Sequence, residues 1–209
     1  METAIRINDN DLLLIIDVQS DFCSGGKLAV ADGDAVVPVI NRLAKRFQHV
    51  ALTQDWHPSS HSSFATSHPG SAPFDIVSMP YGKQTLWPDH CVQGTPGAAF
   101  HSQLETERAE LVIRKGFRRE IDSYSAFYEN DRRTPTGLAG YLRECGLQRI
   151  FLVGLATDFC VYYSAVDARR LGFAAVLIQT GCRASDLAGS LDAAWRGMAA
   201  AGVQRVDDL

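Results

Sequence analysis

The sequence predicts an α/β fold of three layers, α/β/α, built on a six-stranded, mostly parallel sheet. Three observations predict it. Short apolar runs recur along the 209 residues with helical segments between them. The first five runs are apolar without alternation, as strands covered on both faces are. Strand and helix also take turns, the order that a parallel sheet with crossover helices requires.

The elements follow in order. "DLLLIID" (11–17) is the first strand, and Val36, Ile40, Leu43, Ala44 and Phe47 keep the spacing of a helix face. "HVALTQD" (49–55) is the second strand. Residues 56–109 break the alternation with a Pro-, Gly-, Ser- and His-rich excursion that has room for one short helix. Excursions of that length inside a compact domain are functional or disordered. "ELVIRKG" (110–116) is the third strand, followed by a helix through Leu138, Tyr141, Leu142 and Cys145. "RIFLVGL" (149–155) leads to a helix through Val161, Ala165, Ala168 and Leu171, then to "AAVLIQT" (174–180). A last helix over 185–202 ends at Gly202 before the short strand 203–206. The length suits one domain, 1–209.

Composition narrows the function. A net charge of -4 gives no electrostatic case for nucleic acid or an anionic membrane. No run approaches the roughly 18 apolar residues of a membrane span, and the start "METAIRINDNDLLLIID" has no signal-peptide pattern, so the expected location is the cytoplasm. Five cysteines, an odd count without small-scaffold spacing, read as free thiols.

Open parallel sheets bind ligands beyond the carboxyl ends of their strands. That edge collects Asp17, Asp55 and Lys115, with Cys160 just past the fourth strand. For Cys160, in "GLATDFCVYYSAV", Thr157 or Asp158 would cap a helix whose first turn favours a thiolate. Asp158 itself opposes that thiolate. Packing is the ordinary role of a lone cysteine, and Cys23, Cys91, Cys145 and Cys182 are given it. Asp17 follows aliphatic residues, so desolvation should raise its pKa toward that of a base at neutral pH, with a cap as the alternative. Lys115 is either a solvated strand-end lysine or a cation that stabilises developing negative charge. Asp55, His57 and His61 sit together in "DWHPSSH", and "LWPDHCVQGT" adds His90. Such an Asp/His set with room for water suits Zn2+, Fe2+ or Mn2+. His49, His68 and His101 read as surface residues.

With these residues assembled, the chain resembles the nicotinamidases, or pyrazinamidases, of the isochorismatase-like cysteine hydrolase superfamily. The blocks that carry the likeness are "LLLIIDVQSDFCSGGKLAV", "TQDWHPSSHSSFA", "TLWPDHCVQGTPGAAFH", "RKGFRREIDSYSAFYEN" and "GLATDFCVYYSAVDARRLGF". The resemblance implies a catalytic Asp17, Lys115 and Cys160, and a metal held by Asp55, His57 and His90, with His61 carried only as a further ligand candidate. It implies an oxyanion hole of the Ala156 and Cys160 backbone N–H groups, with a cis peptide before Ala156. Phe22, Trp87 and Tyr124 match positions that contact a substrate ring. The implied reaction converts nicotinamide to nicotinate and ammonia through a cysteine thioester, with pyrazinamide as a second substrate, in NAD salvage. The implied cofactor is one divalent ion, zinc before iron or manganese. Two other readings stay open: a superfamily amidohydrolase for aliphatic amides or carbamoyl groups, and a non-catalytic binding module. Whether the chain forms a homo-oligomer is also open.

Overall fold

The structure, a computed structural model, describes residues 5–209. Residues 1–4, part of the start read above for a targeting signal, lie outside the described residues. The chain runs β1 (Asp11–Ile16), α1 (Val36–Ala44), β2 (His49–Asp55), β3 (Ile76–Met79), β4 (Gly82–Thr85), β5 (Leu111–Lys115), α2 (Leu138–Glu144), β6 (Arg149–Leu155), α3 (Tyr162–Arg170), β7 (Ala174–Arg183), α4 (Ser190–Ala200) and β8 (Gln204–Val206).

Six strands form one sheet in the order β5-β2-β1-β6-β7-β8, and every neighbouring pair is parallel. Successive strand side chains point to opposite faces, so the aliphatic runs feed two cores at once. Leu13 and Ile15 of β1 pack in one cluster with Val37, Ile40 and Leu43 of α1. Leu12, Leu14 and Ile16 pack in the other with Leu142, Val161 and Ala165 of the opposite layer. The predicted three layers are thus present.

Three expectations need correcting. β5 is an edge strand with helical cover on one side: Val112 is 44% exposed, while Leu111 and Ile113 pack inward. Full burial of both faces therefore fails there. The last helix starts at Ser190, because Asp186, Ala188 and Gly189 take positive φ and break the helical path before it. The excursion holds no α-helix; it holds the antiparallel hairpin β3–β4 and two single 3-10 turns, Ala65–Ser67 and Pro96–Ala98.

Chain order reverses between β1 and β6: β2 and β5 lie on one side of β1, and β6, β7 and β8 on the other. Loops leaving the two strands diverge at such a switch point and open a cleft above their carboxyl ends. No helix among the described residues is long and apolar enough to cross a membrane.

Candidate active site and metal centre

Four strand ends supply the reactive groups. Asp17 follows β1 directly, with φ of 49°. Asp55 and Lys115 close β2 and β5 and are register partners. Cys160 sits in the π-helical turn Thr157–Val161 between β6 and α3. The completely buried Lys115 ammonium joins them. Its Nζ lies 2.7 Å from Asp17 Oδ2, 2.5 Å from Asp55 Oδ1 and 3.4 Å from Cys160 Sγ, and it donates to the Ser123 carbonyl at 2.9 Å. Ligand atoms of Asp17, Asp55 and Cys160 all fall within 4.8 Å of one another. The solvated alternative for Lys115 is therefore wrong: two carboxylates meet its charge inside the fold.

Burial raises the Asp17 pKa, Lys115 offsets part of that, and Asp55 adds to it. Burial would also raise Asp55, but the Lys115 ammonium outweighs it and holds Asp55 well below the usual carboxylate range. Burial would lower Lys115, but Asp17 and Asp55 keep it firmly protonated. One ammonium thus serves two unlike carboxylates, an ionised Asp55 and an Asp17 with a strong pull on a proton.

The expected helix cap at Cys160 is absent. Ala156 takes the cap position without a side-chain bond. Asp158 instead accepts the N–H groups of Ser185 and Asp186 and the hydroxyl of Ser190, so it anchors the approach to α4. No lowered thiol pKa results. Burial pushes Cys160 well above the usual thiol range, Lys115 opposes this, and Asp17 and Asp55 add to it. The resting group is a thiol that needs a base.

The Asp/His residues of the two separate segments do form a cluster. Asp55, His57 and His90 bring ligand atoms within 4.8 Å of one another. Asp55 Oδ2 lies 3.5 Å from His57 Nε2 and 3.8 Å from His90 Nε2. His57 Nδ1 faces the Gly116 carbonyl and His90 Nδ1 the Pro88 carbonyl, both at 2.8 Å. A carbonyl only accepts, so each Nδ1 carries the proton and each Nε2 offers its lone pair to the cluster. His57 Nε2 is buried with no hydrogen-bond partner, as suits a metal ligand. Gly116 has φ of +63°, and a Cβ there would stand 2.4 Å from His57 Cε1. The glycine after Lys115 is what lets the imidazole reach its carbonyl.

His61 is placed beside this set, its ring centroid 4.4 Å from that of His57. Its Nδ1 pairs with the Ser63 hydroxyl at 2.7 Å and its Nε2 with the Ile121 carbonyl at 3.2 Å, so both nitrogens are engaged.

Phe22, Trp87, Tyr124, Ala156 and Cys160 line one narrow cleft, with His90 on its wall. Trp87 Nε1 donates to Tyr124 Oη at 3.1 Å, and Trp87 meets Phe159 edge-on at 5.1 Å between centroids. The peptide before Ala156 is cis, as the resemblance implies.

Sequence reading missed several residues here. Thr53 Oγ1 donates to Asp17 Oδ1 at 2.6 Å and accepts the Asp17 N–H at 3.1 Å. Thr53 lies two residues before Asp55 on a strand and hence on the same face, a signal that was available. Gln19 clamps the Asp55 backbone, accepting its N–H and donating to its carbonyl, both at 2.8 Å. Asp122 lines the cleft from a loop that carries no periodic signal, and Gln84 of β4 donates to Asp122 Oδ2 and to Tyr124 Oη, both at 2.9 Å, behind the cleft wall.

Other expectations fail more simply. His49 pairs with Glu110 at 3.0 Å, His101 with Asp34 at 3.1 Å, and His68 with the Ser62 carbonyl at 2.7 Å, so none is a bare surface residue. Cys145 is exposed rather than packed, because it caps α2 at the surface.

The isochorismatase domain family matches residues 11–207. A nicotinamidase of Acinetobacter baylyi is 51% identical over 206 residues, covering 99% of this chain and 96% of that protein. The structure of an Acinetobacter baumanii nicotinamidase/pyrazinamidase superposes with a TM-score of 0.95 at 51% identity, over 96% of this chain and 97% of that one. A pyrazinamidase of Pyrococcus horikoshii in complex with zinc superposes with a TM-score of 0.77 at 31% identity, over 94% of this chain and 98% of that one. Matches that span sheet, excursion and strand ends alike leave one assignment: the chain belongs to the isochorismatase family and groups there with the nicotinamidases.

Proposed function

We propose that the chain is a nicotinamidase that hydrolyses nicotinamide, and pyrazinamide with it, through a thioester on Cys160. The carrying observation is the Lys115 ammonium, 2.7 Å from Asp17 and 3.4 Å from Cys160 Sγ, at the foot of an aromatic-lined cleft.

The chemistry follows from the charges. Asp17 takes the thiol proton, for which its raised pKa suits it, and Lys115 steadies the thiolate as it forms. The thiolate adds to the amide carbonyl, and the Ala156 and Cys160 N–H groups receive the oxyanion. As the tetrahedral species collapses, Asp17 returns the proton to the departing ammonia and the thioester remains. Water then adds with Asp17 again as base, releasing the carboxylic acid and restoring the thiol. Phe22, Trp87 and Tyr124 hold the ring against the cleft walls.

Asp55, His57 and His90 fit one divalent ion: two neutral imidazole nitrogens and a carboxylate suit zinc, with iron and manganese the other candidates. When bound, the ion supplies a Lewis-acid contact for the ring nitrogen of the substrate. The zinc-bound relative supports that choice. A nicotinamide-recycling role places the activity in NAD salvage, and a thiol that must stay reduced suits the cytoplasm.

Ammonia release from nicotinamide, pyrazinamide and an aliphatic amide, with metal content measured on the same sample, tests this reading. Preference for the aliphatic amide would overturn it.

A further inference from the structure

A second group of ligand-bearing side chains lies apart from Asp55, His57 and His90. Cys23, Asp34 and His101 bring a sulfur, a carboxylate oxygen and an imidazole nitrogen within 4.8 Å of one another. They come from three separate segments. Cys23 ends the turn after β1, Asp34 lies in the turn before α1, and His101 follows the Pro96–Ala98 turn. The His101 ring nitrogen Nε2 stands 3.1 Å from Asp34 Oδ1, and Ser24 donates to Asp34 Oδ2 through its N–H and its hydroxyl.

Packing does not account for this arrangement. Cys23 is 2% exposed, and burial together with Asp34 pushes its thiol up to about 11. A carboxylate and an imidazole drawn up to a buried thiol bring donors that an apolar core has no use for. The Asp34 side chain is 41% exposed, so the group runs from the core to solvent and leaves an ion a way in.

We propose that Cys23, Asp34 and His101 form a site for a thiophilic divalent cation of the zinc type. Thiolate, imidazole and carboxylate are the zinc donor set, and three protein ligands leave one position for water. Binding releases the Cys23 proton to solvent and uses the lone pair of His101 Nε2. The proton that Nε2 shares with Asp34 then moves to Nδ1, and the Gln103 N–H, which Nδ1 accepts at 3.2 Å, must find another acceptor. The cation's charge offsets the repulsion between thiolate and Asp34. The site has a structural consequence for the cleft. Phe22 is the neighbour of Cys23, and Leu28 and Val30 lie between Cys23 and Asp34, and all three line the cleft. An ion here ties that wall to the start of α1.

Cobalt tests the proposal. The full-length protein, carrying its own metal, is titrated with Co2+ and followed in the near ultraviolet, where a thiolate–cobalt bond gives an intense charge-transfer band. Asp55, His57 and His90 contain no sulfur and give none. The expected band saturates at one equivalent in the wild type and in Cys160→Ser, and is absent in Cys23→Ser. His101→Gln keeps the thiol and covers the case in which Cys23→Ser fails to fold. It should weaken the apparent cobalt affinity on the order of tenfold or more. No band in the wild type overturns the proposal. So does a band that survives Cys23→Ser but vanishes in Cys160→Ser, or one unmoved by His101→Gln.

Discussion

Lys115 and Asp55 end adjacent strands as register partners, and their side chains meet at 2.5 Å. The contact ties the proposed metal set to the proposed nucleophile, since the same ammonium touches Asp17 and approaches Cys160. Charge at either end is felt at the other.

Removing that ammonium strands two buried carboxylates. Lys115→Met should destabilise the fold by about 3–5 kcal/mol, read as a lower urea midpoint, and should abolish turnover. A variant as stable as the wild type would mean that Asp17 and Asp55 do not depend on this charge.

Cys160→Ala should lose turnover on the order of 10^4-fold or more, the scale seen when a nucleophile is deleted. Metal content and unfolding midpoint should stay close to wild type. Substantial residual ammonia release refutes the thioester route.

The pH profile reports Asp17. The group must be ionised to accept the thiol proton, and its pKa is raised by burial. The acid limb of kcat/KM should therefore lie above the ordinary carboxylate range, with activity falling as pH drops through it. Thr53→Val deletes a hydrogen bond that favours the ionised form, so the limb should move to higher pH. An unmoved limb assigns the base elsewhere.

Metal dependence should follow the Asp/His set. In the wild type, zinc at about 100 times its Kd should add roughly 2.7 kcal/mol of stability, seen as a thermal shift. His90→Ala, which leaves the Lys115 contacts untouched, should lose that shift and one equivalent of bound zinc relative to the wild type. A His90→Ala protein with the wild-type zinc stoichiometry would exclude His90 as a ligand.

Trp87 forms a cleft wall braced by Tyr124. Trp87→Ala should raise KM for nicotinamide by about fivefold, the equivalent of about 1 kcal/mol of ring contact, with a smaller change in kcat. An unchanged KM would place the ring elsewhere.

Much of the fold was legible because its signals are local. Aliphatic runs such as "LLLII", helical spacing such as Val36–Ile40–Leu43 and strand-end acids such as Asp55 each depend on near neighbours in the chain. The failures share one cause. The cover of β5, the kink before α4 and the cap at Cys160 are decided by which distant segment packs there: solvent beside Val112, Ser190 on Asp158. Pairing of His49 with Glu110 and His101 with Asp34 joins residues 61 and 67 positions apart, beyond any local pattern.

By itself the sequence determined the alternation of strands and helices and hence the edge on which Asp17, Asp55, Lys115 and Cys160 would stand. Only the tertiary structure decided that Lys115 is fully buried between two acids, which imidazole nitrogens stay free, and that the thiol rests protonated. The reason is physical. Periodicity is set by backbone geometry a few residues at a time, whereas pKa values and ligand directions depend on desolvation and on charges brought together across the sheet.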